Sequence, residues 1–346
     1  MTTPLRFAII GCGRIAPRHA QSLRDLAPDA QLVAVADVIE NRARHLAHEY
    51  AAPQVETDYR YLLNRADVDA VCICTPSGLH AEMGIAAAQA GKHVIVEKPM
   101  AMTLESADAL ITACETARVS LTVVLQNRYN PPMQAVRRLV TAGKLGQLLL
   151  GNATVRWYRP QSYYEDDWHG TRQMDGGALM NQSIHHIDAL QWLMGEVTSV
   201  FAHTATLAHR MEMEDVGVAT WKFASGALGS IEGSTLTYPE NLEGSVALFG
   251  THGSVKVGGT ALNRTVFWKV DGELEQERQM LAMEAVDPPS VYGYSHRAVL
   301  ADTLQAIREG RPSQTHGREG RRSLALVLAM YESAQRQVEV KVNHGQ

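Results

Sequence analysis

At 346 residues the chain exceeds what one ordinary hydrophobic core serves, so two domains are expected. Its 45% hydrophobic and 20% charged residues, without any biased tract, exclude a disordered or fibrous chain. A formal net charge of −5 argues against the basic surface of a non-specific nucleic-acid binder, and no apolar run approaches the about 18 residues of a membrane span.

Strand and helix alternate in the first third of the chain. Apolar strands are expected over residues 6–10, 31–36, 70–74, 94–96 and 121–125, with helical stretches rich in Ala, Leu, Gln and Glu between them. That alternation predicts parallel βαβ units with helices on both faces. Asn130-Pro131-Pro132 breaks the pattern, which divides the chain into a nucleotide-binding domain over 1–126 and a second domain over 127–346. The second domain opens with a helix over 133–142, a strand over 147–157, an irregular aromatic segment and a helix over 177–194. Strands over 199–208, 216–223, 227–237, 242–249 and 253–257 follow in series, which predicts a mostly antiparallel sheet in an α+β domain. Helices over 296–309 and 320–337 close the chain.

Cys12, Cys72, Cys74 and Cys114 show neither zinc-type spacing nor a disulfide framework. Cys72 and Cys74 alternate on one face of an apolar strand, as core residues do. A reducing cytoplasm suits them, and Met1-Thr2-Thr3 runs into the first strand with no room for a signal peptide; a cytoplasmic protein is expected.

Gly11-Cys12-Gly13-Arg14-Ile15-Ala16 fits the G-x-G-x-x-A dinucleotide fingerprint, directly after the first strand and opening a helix. Its glycines allow a tight turn and close backbone approach to a pyrophosphate, and the free N–H groups of the helix start bind the phosphates. Asp37 ends the second strand about twenty residues on, where a carboxylate accepts from both ribose hydroxyls and repels a 2′-phosphate; NAD is the expected cofactor. Arg42 is a cation nearby that could meet such a phosphate.

Glu97-Lys98-Pro99 ends the buried apolar run Val94-Ile95-Val96, at the sheet edge where open α/β sheets bind ligands. Taken alone, the motif reads more simply as a strand end with a solvated lysine. The segment from Asp175-Gly176-Gly177 to His185-His186-Ile187-Asp188 opens a helix on which Asn181 and His185, four residues apart, share a stripe. His185, His186 and Asp188 make no H-x-x-x-H pair, so a metal site is not expected. A satisfied core histidine is the plain alternative; a polar stripe beginning at a double glycine favours His185 as a general base.

Together with Thr75-Pro76-Ser77-Gly78-Leu79-His80 and Gly91-Lys92-His93-Val94, these motifs resemble the Gfo/Idh/MocA oxidoreductases over essentially the whole chain. The resemblance implies a six-stranded Rossmann domain and a second domain with a large open sheet, one face of which builds homo-oligomers, dimers or tetramers. It puts the catalytic lysine at Lys98 and the catalytic histidine at His185. It extends the cofactor site from Gly11, Cys12, Gly13, Arg14, Ile15 and Asp37 to Thr75, Pro76, Ser77, His80, Glu97, Lys98 and Gln126. Where the family usually has Asp, this chain has Asn181, and it has Ser183 where Gly is common. A neutral Asn181 cannot share a proton, but it can position a substrate hydroxyl or acetamido group.

Met180-Asn181-Gln182-Ser183, Arg159-Pro160-Gln161-Ser162-Tyr163-Tyr164, Trp168-His169-Gly170-Thr171 and the segment from Thr237-Tyr238-Pro239 to Gly244-Ser245 are similar to a narrower group. Its members oxidise C3 of UDP-N-acetylglucosaminuronic acid for surface polysaccharide. A nucleotide-sugar substrate needs anion contacts, for which Arg128, Arg156 and Arg159 are candidates beside Tyr164, Asn181 and Ser183. Arg156 could equally be solvated or structural and Arg128 could be a hinge salt bridge, so Arg159 is the better candidate for the carboxylate or diphosphate. A polyol or free-sugar dehydrogenase and a dinucleotide-binding regulator remain the alternatives.

Overall fold

The computed structural model describes residues 3–259, 261–282 and 295–345, and the chain divides into two units. The first comprises Met1–Leu125 and His296–Arg321, the second Gln126–Ser295 and Arg322–Gln346. The break at Asn130-Pro131-Pro132 predicts a second domain over all of 127–346. His296–Arg321 goes with the first instead, because Leu300 and Leu304 pack into the buried cluster of Phe7, Ile9, Ala20, Leu23 and Val35.

In the first unit β1 (Leu5–Ile10), α1 (Ala16–Asp25), β2 (Ala30–Ala36), α2 (Glu40–Tyr50), β3 (Gln54–Glu56), α3 (Arg60–Leu63), β4 (Ala70–Ile73), α4 (His80–Gln89), β5 (His93–Val96), α5 (Leu104–Ala117) and β6 (Leu121–Val123) follow in chain order. The strands form one parallel sheet in the order β3-β2-β1-β4-β5-β6. Continuous burial along β4 and most of β5 follows from helices covering both faces. The order reverses direction between β1 and β4, and the carboxyl ends of strands at such a switch point are where doubly wound sheets bind ligands. β3 was not foreseen: three residues with one apolar side chain carry no periodic signal.

The second unit contains α6 (Pro131–Thr141), β7 (Leu148–Arg156), a π-helical turn (Ala178–Gln182), α7 (Ile184–Met194), β8 (Val197–Ala205), β9 (Val216–Phe223), β10 (Leu228–Ser234), β11 (Glu243–Gly250), β12 (Gly253–Gly258), β13 (Arg264–Val270) and α8 (Leu274–Ala282). After α9 (His296–Glu309) in the first unit, α10 (Gly317–Arg336) and β14 (Val340–Lys341) complete the chain. Eight strands form an open sheet in the order β13-β12-β11-β7-β10-β9-β8-β14. It is antiparallel apart from the β7–β10 pair. α7 lies so close to β7 that a Cβ on Gly151 would come within 2.8 Å of Leu190 and 3.1 Å of Met194. Among the described residues the opposite face is exposed along β9, where Val218, Thr220 and Lys222 point out while Ala219, Trp221 and Phe223 point in.

Candidate active site

The glycine turn after β1 is built by close approach. Gly11 has φ +88°, and a Cβ there would lie 2.8 Å from the carbonyl group of Cys74. Nothing would meet a Cβ on Gly13 within 4 Å, so the backbone is open to a bound group at that point. Ala16 is fully buried, as close helix–sheet packing requires, whereas Arg14 is exposed and Ile15 half-buried. The Asp37 carboxylate stands at the end of β2 and accepts the backbone N–H groups of Cys12 (2.7 Å) and Ile39 (2.8 Å). The Cys12 side chain is buried, and burial raises its thiol pKa. This cradle fits a dinucleotide.

At the end of β5, Lys98 is half-buried and the Lys98–Pro99 peptide is cis. The buried His80 ring lies with Nδ1 2.7 Å from Pro99 O and Nε2 2.9 Å from Thr75 O, tying the turn at Thr75, Pro76 and Ser77 to the lysine turn. Burial holds its pKa below the ordinary imidazole value. The Glu97 carboxylate, expected at the cofactor, is buried against His19 and His296.

In the second unit the expected helix over 177–194 is broken. Glu214 accepts the N–H of Ala178 at its carbonyl (2.9 Å) and that of Leu179 at Oε1 (2.8 Å), while the Ser183 N–H reaches Ala178 O at 2.8 Å. These bonds make the turn π-helical and restart the helix at Ile184. The double glycine has a local cause: Gly176 has φ +82°, and a Cβ on Gly177 would fall 2.0 Å from Glu214 Oε2. Tyr331 of α10 donates to Glu214 Oε1 at 3.0 Å, and burial pushes the Glu214 carboxyl up to about 7.

Asn181 donates its amide to the buried Asp175, whose other oxygen accepts the Gly170 N–H at 2.8 Å. That bond orients the amide, since only the nitrogen can donate to a carboxylate. His185 is buried, with Nε2 3.4 Å from the Gln126 amide nitrogen. Gln126, expected at the cofactor, therefore lies beside the histidine ring. His186 points into the core beside Trp157, where burial alone lowers its pKa to about 3.

Residues 5–125 match the oxidoreductase family's NAD-binding Rossmann fold, and residues 133–256 match the Gfo/Idh/MocA C-terminal domain. The chain belongs to the Gfo/Idh/MocA oxidoreductases. It is similar to the WlbA dehydrogenase of Bordetella pertussis, solved with NADH and UDP-GlcNAcA, at 38% identity over 98% of this chain and 99% of that one, with a TM-score of 0.88. The WlbA dehydrogenase of Chromobacterium violaceum, solved with the same two ligands, is 37% identical over 100% and 98% of the two chains, with a TM-score of 0.91. The myo-inositol 2-dehydrogenase of Thermotoga maritima is 28% identical over 98% of both proteins. This Gfo/Idh/MocA oxidoreductase is an NAD-dependent sugar or polyol dehydrogenase.

The structure separates the remaining substrate-site expectations for this Gfo/Idh/MocA chain. Arg128 is buried in a two-pronged pair with Asp188 (2.8 and 2.6 Å) and lies over the Trp192 ring, so it ties the turn at Gln126–Tyr129 to α7. Arg156 projects from the sheet face opposite α7, where Glu232 (2.7 Å) and Glu243 (3.1 Å) hold it. Ser183 is fully buried, its Oγ facing Gly233 of β10. Tyr164 is buried and donates to Thr235 at 3.1 Å. These four positions serve packing or ion pairing within the chain. Arg159 differs: its guanidinium donates to the Tyr158 carbonyl (2.6 Å) and to Asn241 Oδ1 (3.3 Å), lies over the Trp157 and Tyr163 rings, and pairs with no carboxylate among the described residues. Asp175 and Glu214 support this site without having been assigned to it; the double glycine was their visible trace.

Proposed function

We propose that this dehydrogenase oxidises the C3 hydroxyl of a UDP-linked N-acetylhexosaminuronic acid, as a step toward a surface-polysaccharide sugar. The observation that carries the reading is the whole-chain likeness to two WlbA dehydrogenases solved with UDP-GlcNAcA, at 37% and 38% identity. Arg159 supports it, because a cation held by neutral partners is suited to a carboxylate or diphosphate. A polyol dehydrogenase is the second reading, favoured by the inositol dehydrogenases among the 27–31% identical relatives.

NAD, when bound, would supply the acceptor for the hydride of the carbinol carbon. Gly11, Gly13 and the start of α1 would hold its pyrophosphate and Asp37 its ribose hydroxyls. His185 takes the hydroxyl proton, with Gln126 orienting its ring. Lys98 supplies positive charge and a hydrogen bond to the developing alkoxide. Asn181, its amide nitrogen donated to Asp175, has its carbonyl oxygen as the acceptor it would offer a substrate hydroxyl or amide. The in-register exposed row Phe249, Leu150 and Leu228 on the open sheet face suits a homo-oligomer contact.

NADH formation measured with UDP-N-acetylglucosaminuronic acid, UDP-N-acetylglucosamine, myo-inositol and glucose tests the reading. Turnover should be confined to the uronic acid, and Arg159→Ala should raise its KM. A response to inositol alone would replace this substrate with the polyol.

A further inference from the structure

Three buried ionisable side chains of the first unit are not used by the chemistry above. At the carboxyl end of β5 the Glu97 side chain turns inward between His19 of α1 and His296 at the start of α9. His19 Nε2 lies 2.7 Å, and His296 Nε2 3.6 Å, from the same oxygen, Glu97 Oε1. The two rings meet edge to face with centroids 5.5 Å apart. The other oxygen, Oε2, accepts the backbone N–H of Lys98 at 3.3 Å. One carboxylate thus joins three things: the helix that follows the glycine turn, the returning helix α9 and the peptide that opens the lysine turn.

We propose that His19, Glu97 and His296 form a buried positioning triad for Lys98. The inference rests on the reading of Lys98 as catalytic. A carboxylate out of water must be paired or take up a proton, and the 2.7 Å contact is a charge-assisted hydrogen bond. Burial pushes the Glu97 carboxyl up, but the hydrogen bond with His19, with the His296 ring nearby, outweighs it and holds it well below its ordinary range. Burial pushes His19 down, but its contact with Glu97 favours the protonated ring and it ends raised, while burial prevails at His296. His19 therefore carries the proton, Glu97 the negative charge, and His296 is neutral. Arg18 on α1 and His80 on α4 are the other charged or titratable groups acting on the cluster.

The three ligand-type atoms lie within 4.8 Å of one another, as around a metal ion. Two ligands of a tetrahedral zinc sit about 3.3 Å apart, so the His19–Glu97 distance fits a shared proton better than a shared ion.

The test is Glu97→Gln in the NAD-loaded full chain, with His296→Gln as a milder second variant. Glu97→Gln should bind NADH within about threefold of wild type and leave KM nearly unchanged, while kcat for UDP-N-acetylglucosaminuronic acid falls roughly 10²-fold from a misplaced lysine. Hydrogen exchange at the Lys98 amide should accelerate, a readout independent of the sugar. His296→Gln should show the same pattern at about a tenth of the size. If Glu97→Gln does not fold, His296→Gln decides by the same two readouts. A folded variant with unchanged kcat and unchanged Lys98 exchange overturns the proposal, as does one equivalent of zinc retained by the purified enzyme. Lys98→Met separates the two levels. Surviving turnover there removes the catalytic lysine and the triad's purpose together; an inactive Lys98→Met beside a fully active Glu97→Gln removes the triad alone.

Discussion

The two units build their site residues in different ways. In the first, backbone geometry does most of the work: Gly11 at φ +88°, an open approach at Gly13, and a cis turn at Lys98–Pro99. In the second, side chains from distant segments hold the segment in place. Glu214 and Tyr331 hold the π-helical turn, Asp175 orients Asn181, and Arg128 braces α7 through Asp188. A backbone site is written into a short local motif. A side-chain site depends on groups that no local window contains.

The largest expected effect bears on the proposed chemistry. Lys98→Met should lower turnover roughly 10³-fold or more while NADH binding persists, and His185→Asn should lower it by roughly 10²–10⁴-fold. Stopped-flow single turnovers with NAD and the uronic acid measure both; near-normal rates in either variant would mean that its side chain has no part in the proton or charge step.

Next comes the brace. Arg128→Ala takes the counter-charge from the buried Asp188 carboxylate and leaves it the neutral Ser323 hydroxyl, so the chain should lose about 3–5 kcal/mol in urea unfolding. If Arg128 were instead mainly a substrate contact, stability would hold and only KM would rise.

Glu214 gives a smaller, pH-dependent effect. Its folded pKa of about 7 lies above the ordinary 4.5, so between those values the folded state holds the extra proton. That stabilisation is fully present below about pH 4 and is lost as pH rises through about 7, amounting to about 3 kcal/mol at most. Glu214→Gln should flatten the fall of Tm between pH 5 and 8 and melt higher than wild type at pH 8. A wild-type Tm that stays level across this range would show that the carboxyl is ionised throughout.

The smallest effect returns to the backbone site. Asp37→Ser should raise relative NADP use about tenfold by removing a carboxylate that repels a 2′-phosphate. An unchanged NAD-to-NADP ratio would shift the choice of cofactor to another residue.

What was legible in the chain follows the same division. The alternating strands and helices of the first unit, the glycine turn and the lysine at the end of β5 were all readable, because period, turn and strand end are local properties. The serial strands announced the antiparallel sheet. The short β3 and β14 left little periodic trace, and β13 and α8 were not foreseen. The helix over 177–194 looked continuous because its apolar spacing is helical; only Glu214, over thirty residues away, breaks it.

Sequence by itself determined the family and the cofactor and singled out Lys98, Asn181 and His185 as the candidates, since all of these rest on residue types at fixed spacing. Tertiary structure decided which charges are spent. Arg159 is the favoured candidate along the chain, but only the fold shows that Asp188, Glu232 and Glu243 pair with Arg128 and Arg156 and not with Arg159. It likewise turned Glu97 inward to His19 and His296, which lie 78 and 199 residues away along the chain. The reason is physical: a charge leaving water must find a partner, and the partner is supplied by whatever the fold brings beside it.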